Sequence, residues 1–238
     1  MAERVALLGG NLTAGPSSQA AGWVVHATLP LVRVAGKPLI DHALDRLEEA
    51  GVARAVVNVH YLPDSLIAHL QAREAPQCII SDERDLLLET GGGMIKAQPL
   101  LPDPFFCLNS DNVWLDGPVN AFRQLSENWD PENMDALLLL VPHVGAGHYR
   151  GKGDFYLDPI GRISRRRGER VAPFVYTGIQ IVSHRLLRDA PAGPFSTNVL
   201  WNRAIEEGRL FGTSFGGRWF EVGDPAAIAV TETALISD

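Results

Sequence analysis

The sequence predicts an α/β fold around a Rossmann-like central sheet, mixed but mostly parallel, and three observations predict it. Short β-branched or continuously apolar runs alternate with amphipathic stretches of helical period, the order that builds crossover connections. Residues 105–108 and 136–141 are apolar without polar alternation, which suits strands covered on both faces. The connections between successive runs are short. With 238 residues, 46% of them hydrophobic, the chain can enclose one sizeable core, and residues 1–238 read as a single domain.

Residues 5–8 form the first strand, with Gly9-Gly10 as the turn after it. Residues 38–51 carry apolar side chains at 39, 40, 43, 44 and 47, with proline in the first turn and glycine after the last, so they form a helix. A β-branched strand over 53–59, a short helix over 64–70 and a strand over 78–80 follow. The glycines at 91–93 make a turn, a helix over 94–100 is closed by Pro102 and Pro104, and the 105–108 strand comes next. The remaining elements are a helix over 119–125, a strand over 136–141 and a hairpin of 153–157 with 161–163. After these come a long strand over 174–182, a helix over 198–207, a strand over 210–215 and a closing helix over 225–235.

The balance of 21 basic and 28 acidic residues gives a net charge of −7 and a pI near 5.5. This excludes a broad nucleic-acid or anionic-membrane surface while leaving room for a local phosphate pocket. Cys78 and Cys107 lie in apolar runs and read as reduced core residues, not as a disulfide or a metal cluster. No secretory h-region and no membrane span is expected, so we place the chain in the cytoplasm. The seven histidines show no zinc spacing, and no lysine-serine or lysine-threonine follows a glycine loop.

Chemistry is expected where the 105–108 strand breaks into Asn109-Ser110-Asp111, because ligands bind beyond the carboxyl ends of parallel strands. Asp111 suits Mg²⁺ shared with substrate phosphates; a turn aspartate capping the next element is the alternative. Glu89-Thr90-Gly91-Gly92-Gly93 reads either as a flexible turn or as a helix start whose backbone contacts an anion or a base. Asp224 before Pro225 is a helix cap, which leaves Glu221 as the freer carboxylate. Asp154 serves the hairpin turn or touches substrate. His60 reads as a packed or surface residue. Arg165, Arg166, Arg167 and Arg170 read as a solvated hairpin face, with one arginine reaching a substrate phosphate as the alternative.

From about residue 29 onward the chain resembles the sugar-1-phosphate nucleotidyltransferases, most closely the branch of N-acetylmuramate 1-phosphate uridylyltransferases and mannose-1-phosphate guanylyltransferase-like proteins. The matching segments, in order, are residues 31–40 (LVRVAGKPLI), 89–93 (ETGGG), 108–111 (LNSD), 151–155 (GKGDF), 176–179 (YTGI) and 219–223 (WFEVG). The resemblance implies a Rossmann-like nucleotidyltransferase fold in which a sugar 1-phosphate attacks the α-phosphorus of a nucleoside triphosphate, UTP favoured, and releases pyrophosphate. It also implies Mg²⁺ on Asp111, with Glu221 where many relatives carry a second aspartate. Gly9, Gly10, Glu89, Thr90, Gly91, Gly92 and Gly93 would bind the nucleotide, and Asn109, Asp154, Thr177 and Gly178 would line the sugar side.

The chain departs from the family pattern before residue 30. The family has a glycine-rich signature whose amides, arginine and lysine hold the triphosphate, yet no arginine or lysine occurs here between Arg4 and Arg33. In a gapless register Gln19 and Leu29 stand at the arginine and lysine positions. Residues 9–29 are therefore expected to form a mobile or irregular loop over the nucleotide mouth. The same departure motivates an alternative function, a catalytically impaired relative that binds nucleotide-sugars as a sensor.

Overall fold

The computed structural model describes residues 11–16, 23–28, 31–147 and 149–236. The expected first strand over 5–8 and the Gly9-Gly10 turn lie outside the described residues. Where an irregular loop was expected, β1 (Asn11–Pro16) and β2 (Trp23–Thr28) pair antiparallel, from Asn11 opposite Thr28 to Pro16 opposite Trp23. The run Trp23-Val24-Val25 supplies aromatic and β-branched residues that favour strand over coil. A small antiparallel pair, β3 (Arg33–Val34) and β4 (Lys37–Pro38), leads into α1 (Leu39–Glu49).

Next come β5 (Arg54–Val59), α2 (Asp64–Gln71) and β6 (Gln77–Asp82). They form one parallel crossover unit, with Arg54 opposite Gln77 and Val59 opposite Asp82. The helix expected from 94 starts earlier: α3 spans Glu89–Ala97, a 3₁₀ turn covers Gln98–Leu100, and the three glycines lie inside the helix. Then follow β7 (Phe105–Leu108), β8 (Asn112–Leu115), α4 (Ala121–Asn128) and β9 (Ala136–Pro142). Asn120 caps α4, its side chain accepting from the Phe122 and Arg123 amides.

The last third holds β10 (Ala146–Gly147), β11 (Phe155–Leu157), β12 (Ile163–Arg165), β13 (Phe174–Val182), α5 (Asn198–Glu206), β14 (Leu210–Ser214), β15 (Arg218–Glu221) and α6 (Pro225–Ile236). The main sheet runs β12-β11-β13-β9-β14, with β7 also on β13. The α/β class and the mixed sheet are as expected. Parallel pairing is scarcer among the described strands: β9 with β14 is parallel, whereas β13 runs antiparallel to β7, β9 and β11. A second sheet, β10-β15-β8, stands beside it, and no described helix is long and apolar enough to cross a membrane.

β9 explains the layering. Leu137, Leu139 and Val141 face a cluster with α1, α2 and α4, while Ala136, Leu138 and Leu140 face a cluster with α3 and α5. Residues alternate between faces along a strand, so a strand apolar at every position needs helices on both sides. Leu137 to Leu140 are 0 to 1% exposed, each contributing about 2 kcal/mol of hydrophobic stabilisation.

Candidate active site

The sheet delivers the 109–111 segment to a break in β13. Tyr176 pairs with Leu140 and Gln180 with Leu138, so Thr177, Gly178 and Ile179 stand against Leu139 alone and the strand bulges. The Asn109 amide donates to the Gly178 carbonyl at 2.9 Å. Gly178 has φ +82°, and a Cβ there would sit 2.1 Å from Asn112 Nδ2. Only glycine satisfies both the left-handed backbone and the close approach. Thr177 is fully buried; its hydroxyl donates to Leu139 O at 2.8 Å, and its carbonyl accepts from Trp219 Nε1 at 2.8 Å. The side chain expected on the sugar thus faces the core and holds the bulge in shape.

Three carboxylates gather around this break. β8 and β15 pair antiparallel with Glu221 opposite Asn112, and the Val222 amide donates to the Asp111 carbonyl at 2.7 Å, so Asp111 and Glu221 are neighbours across the second sheet. Asp154 enters from the hairpin; its Oδ2 accepts from the Tyr176 amide at 2.9 Å and its Oδ1 lies 3.4 Å from the Tyr149 hydroxyl. Partial desolvation, then repulsion from Asp111, Asp154 and Asp224, raises the Glu221 carboxyl above the ordinary glutamate value. Burial, then Asp154, raises the Tyr149 hydroxyl.

Asp111 Oδ1 is buried with no hydrogen-bond partner, and so is Asn112 Nδ2 beside it. An unsatisfied carboxylate oxygen facing a second, mutually repelling carboxylate fits a divalent cation. Among the described residues no group of three metal-ligating side chains is close enough to cage an ion. Mg²⁺ is commonly bound through one or two carboxylates together with substrate phosphates and water.

The glycine segment has a structural task that its sequence did not reveal. The Gly91 and Gly92 amides donate to the Phe195 carbonyl at 2.9 and 3.3 Å, and the Thr197 amide donates to Thr90 Oγ1 at 3.0 Å. A Cβ on Gly91 would lie 2.3 Å from Phe195 Cε2, one on Gly92 2.7 Å from Gly193 O, and one on Gly93 3.1 Å from Glu83 Oε1. All three glycines are buried. They admit the 193–197 segment and the ends of β5 and β6 against α3, and two of their amides are already engaged. Glu89 and Thr90 remain exposed, Glu89 with φ 58°, an uncommon value for a residue with a side chain.

No family model matches the chain. N-acetylmuramate alpha-1-phosphate uridylyltransferase of Caulobacter vibrioides is 43% identical over 210 residues, which cover 86% of this chain and 87% of that protein. The chain belongs to the sugar-1-phosphate nucleotidyltransferase family. Mannose-1-phosphate guanylyltransferase catalytic subunit beta of Danio rerio is 29% identical over 82% of this chain, which spans 55% of that relative's length. Among solved structures, HddC from Yersinia pseudotuberculosis complexed with GMP-PN is similar with a TM-score of 0.69. At 18% identity over 87% of this chain and 89% of that one, it speaks for the fold alone.

Within this family member, the remaining sequence candidates separate cleanly. Gly9 and Gly10 lie outside the described residues. His60 Nδ1 sits 2.7 Å from Glu83 O and is packed, as expected. Asp224 Oδ1 accepts from the Ala227 amide at 2.9 Å and caps α6. Cys78 and Cys107 are free, and burial pushes the Cys107 thiol up to about 11, so it stays neutral.

The sequence reading missed a buried polar group beneath the mouth. Glu83 is 5% exposed; its Oε1 accepts from Asn58 Nδ2 at 2.5 Å and its Oε2 from the Leu88 amide at 3.2 Å. Asn58 also reaches Gly93 O at 3.2 Å. Their positions at the carboxyl ends of β5 and β6 were the available signal. Asn112 was missed because its role depends on a non-local strand pair.

Proposed function

We propose that the chain joins a sugar 1-phosphate to a nucleoside triphosphate, UTP first, to give a nucleotide-sugar and pyrophosphate. The observation that carries this reading is the buried, unsatisfied Asp111 oxygen beside Glu221, the two residues brought together by the β8–β15 pairing and the Val222 amide on the Asp111 carbonyl. The 43% identical relative named for uridylyl transfer to an N-acetylmuramate 1-phosphate supports both the donor and an amino-sugar acceptor. We place the reaction in the cytoplasm, where triphosphates are available.

In the proposed reaction an oxygen of the sugar phosphate forms a bond to the α-phosphorus as the bond from that phosphorus to the β-phosphate bridging oxygen breaks, and the pyrophosphate carries that electron pair away. Catalysis of this kind is positioning plus stabilisation of phosphate charge. Asp111 and Glu221 would hold Mg²⁺, which supplies positive charge to the phosphate oxygens. Asp154 and the Asn109 side chain present acceptors and donors to sugar hydroxyls, and the Gly178 bulge lets Asn109 and Asn112 pack closely against its backbone. Glu89, Thr90 and the entrance to α3 lie on the nucleotide side. Chromatography of mixtures containing each triphosphate and an amino-sugar or hexose 1-phosphate tests the reading. A UDP-sugar as the main product supports it, and a GDP-sugar as the main product overturns the UTP assignment.

A second reading rests on the absence of arginine and lysine between Arg4 and Arg33: a nucleotide-sugar-binding protein without turnover. Calorimetry separates the two, since a sensor binds the nucleotide-sugar tightly and the triphosphate weakly. Magnesium-dependent triphosphate binding followed by turnover rules the sensor out.

A further inference from the structure

The chain carries Tyr149 from the second sheet to the hairpin of the main one. β10 runs parallel to β15 with Gly147 opposite Phe220, so the chain reaches Tyr149 alongside the Glu221 end of β15. There the Tyr149 hydroxyl donates to Asp154 Oδ1 at 3.4 Å, while Asp154 Oδ2 accepts from the Tyr176 amide at 2.9 Å. The surrounding segment holds the ring in place. His143 meets it edge-on, 5.7 Å between centroids at 86°, and His143 Nε2 lies 2.9 Å from Gly151 O. The His143 amide donates to Pro173 O and the Ala172 amide to Lys152 O, each at 2.7 Å, which ties both ends of the 143–152 segment to the chain entering β13. A Cβ on Gly151 would lie 2.2 Å from the Tyr149 hydroxyl oxygen, and one on Gly153, at φ +73°, 2.2 Å from Ala172 O. These two glycines let the ring fold back onto Asp154.

An ionised carboxylate only accepts, so the phenol proton is committed to Asp154 and the phenol oxygen keeps acceptor capacity of its own. Burial and the Asp154 charge both hold Tyr149 in its protonated form. Two acceptor oxygens therefore stand side by side, one neutral and one charged. Their spacing suits neighbouring hydroxyls of a sugar, each of which has a proton to give. Because Tyr149 is fixed by His143, Gly151 and Asp154, it presents its oxygen without first having to be ordered.

We infer that Tyr149 and Asp154 together read two neighbouring hydroxyls of the acceptor sugar, the Tyr149 oxygen accepting from one of them, so that Tyr149 is a specificity-determining residue of the sugar subsite. This rests on the transferase reading above and adds to it the uncharged, hydroxylated edge that the sugar presents. The hydroxyls are remote from the reacting phosphorus. Their hydrogen bonds form equally in the ground state and the transition state, so Tyr149 sets KM more than kcat.

The test measures KM and kcat with UTP for an N-acetylated amino-sugar 1-phosphate and for analogues that each lack one of its hydroxyls. Wild type and Tyr149→Phe are compared, circular dichroism and melting temperature verifying the fold. Tyr149→Phe should raise KM for the parent sugar about 3- to 10-fold with kcat unchanged. For one analogue the two proteins should agree within a factor of about two, because the hydroxyl that Tyr149 reads is already gone. A rise in KM shared equally by every sugar would mean that Tyr149 only braces Asp154 or the 143–152 segment, and it overturns the inference, as does no change for any sugar. If wild type turns over no sugar phosphate, the transferase reading fails first. Calorimetry with a UDP-amino sugar and its monodeoxy analogues then decides the hydroxyl contact: one analogue that binds both proteins alike, while the parent binds Tyr149→Phe more weakly, supports it, and equal weakening or none overturns it.

Discussion

Asp111 keeps a buried carboxylate oxygen unsatisfied, at a cost of about 1 to 3 kcal/mol that a bound cation would offset. Mg²⁺ should therefore raise the melting temperature of the wild type and leave that of Asp111→Asn unchanged; equal shifts in both would place the ion elsewhere. Glu221 tests the same site through pH. Its folded pKa is raised, so ionising it costs stability. The penalty is absent below the ordinary carboxyl value, develops as pH rises from that value through the folded one, and is complete above it. Glu221→Gln should accordingly melt higher than wild type at pH 7.5 without magnesium and no higher at pH 3.5, while losing its magnesium response. A variant that melts lower at neutral pH would contradict this charge balance. Asp111 was legible because an apolar strand ending in polar residues marks a sheet mouth. Its pairing with Glu221 depends on a strand register that no local pattern encodes.

At the scale of elements, the glycine run shows where sequence reasoning stopped. Three consecutive glycines disfavour a helix by roughly 1 kcal/mol each relative to alanine, so the run read as a turn before the next helix or as that helix's start, and α3 contains it whole. Tertiary contact decides: the Phe195 carbonyl holds two of the amides and leaves no room for a side chain. Gly91→Ala should destabilise the protein by about 1 to 3 kcal/mol in urea unfolding, because Phe195 presents backbone as well as ring to the new methyl group. A neutral result would show that the 193–197 segment yields freely. Elsewhere, Asp135 is buried between Arg185 and Arg209, each donating from Nε at 2.6 Å. Asp135→Ala should cost about 3 to 5 kcal/mol, since both arginines lose the carboxylate that ties the starts of β9 and β14 to the 184–187 turn. The long apolar strands and amphipathic helices were legible from period alone. The short strands β8 and β15 were not, because four residues that alternate little give no period to read.

For the whole molecule, the described frame has the layers of a nucleotidyltransferase, and its carboxylates meet where two sheets adjoin. The contribution of residues 9–29 to triphosphate binding is read from sequence: no positive side chain is present, and a gapless register with the family signature would put Gln19 and Leu29 at its arginine and lysine. One preorganised donor is worth about 3 to 4 kcal/mol to a transition state, so turnover should be slow and should rise when charge is restored. The most direct measurement is magnesium-dependent pyrophosphate release from UTP and an amino-sugar 1-phosphate by wild type, Asp111→Asn and the double variant Gln19→Arg/Leu29→Lys. The account predicts slow release by wild type, none by Asp111→Asn, and faster release by the double variant. No release by wild type with any triphosphate and sugar phosphate at high protein concentration, or release that survives Asp111→Asn, would contradict it.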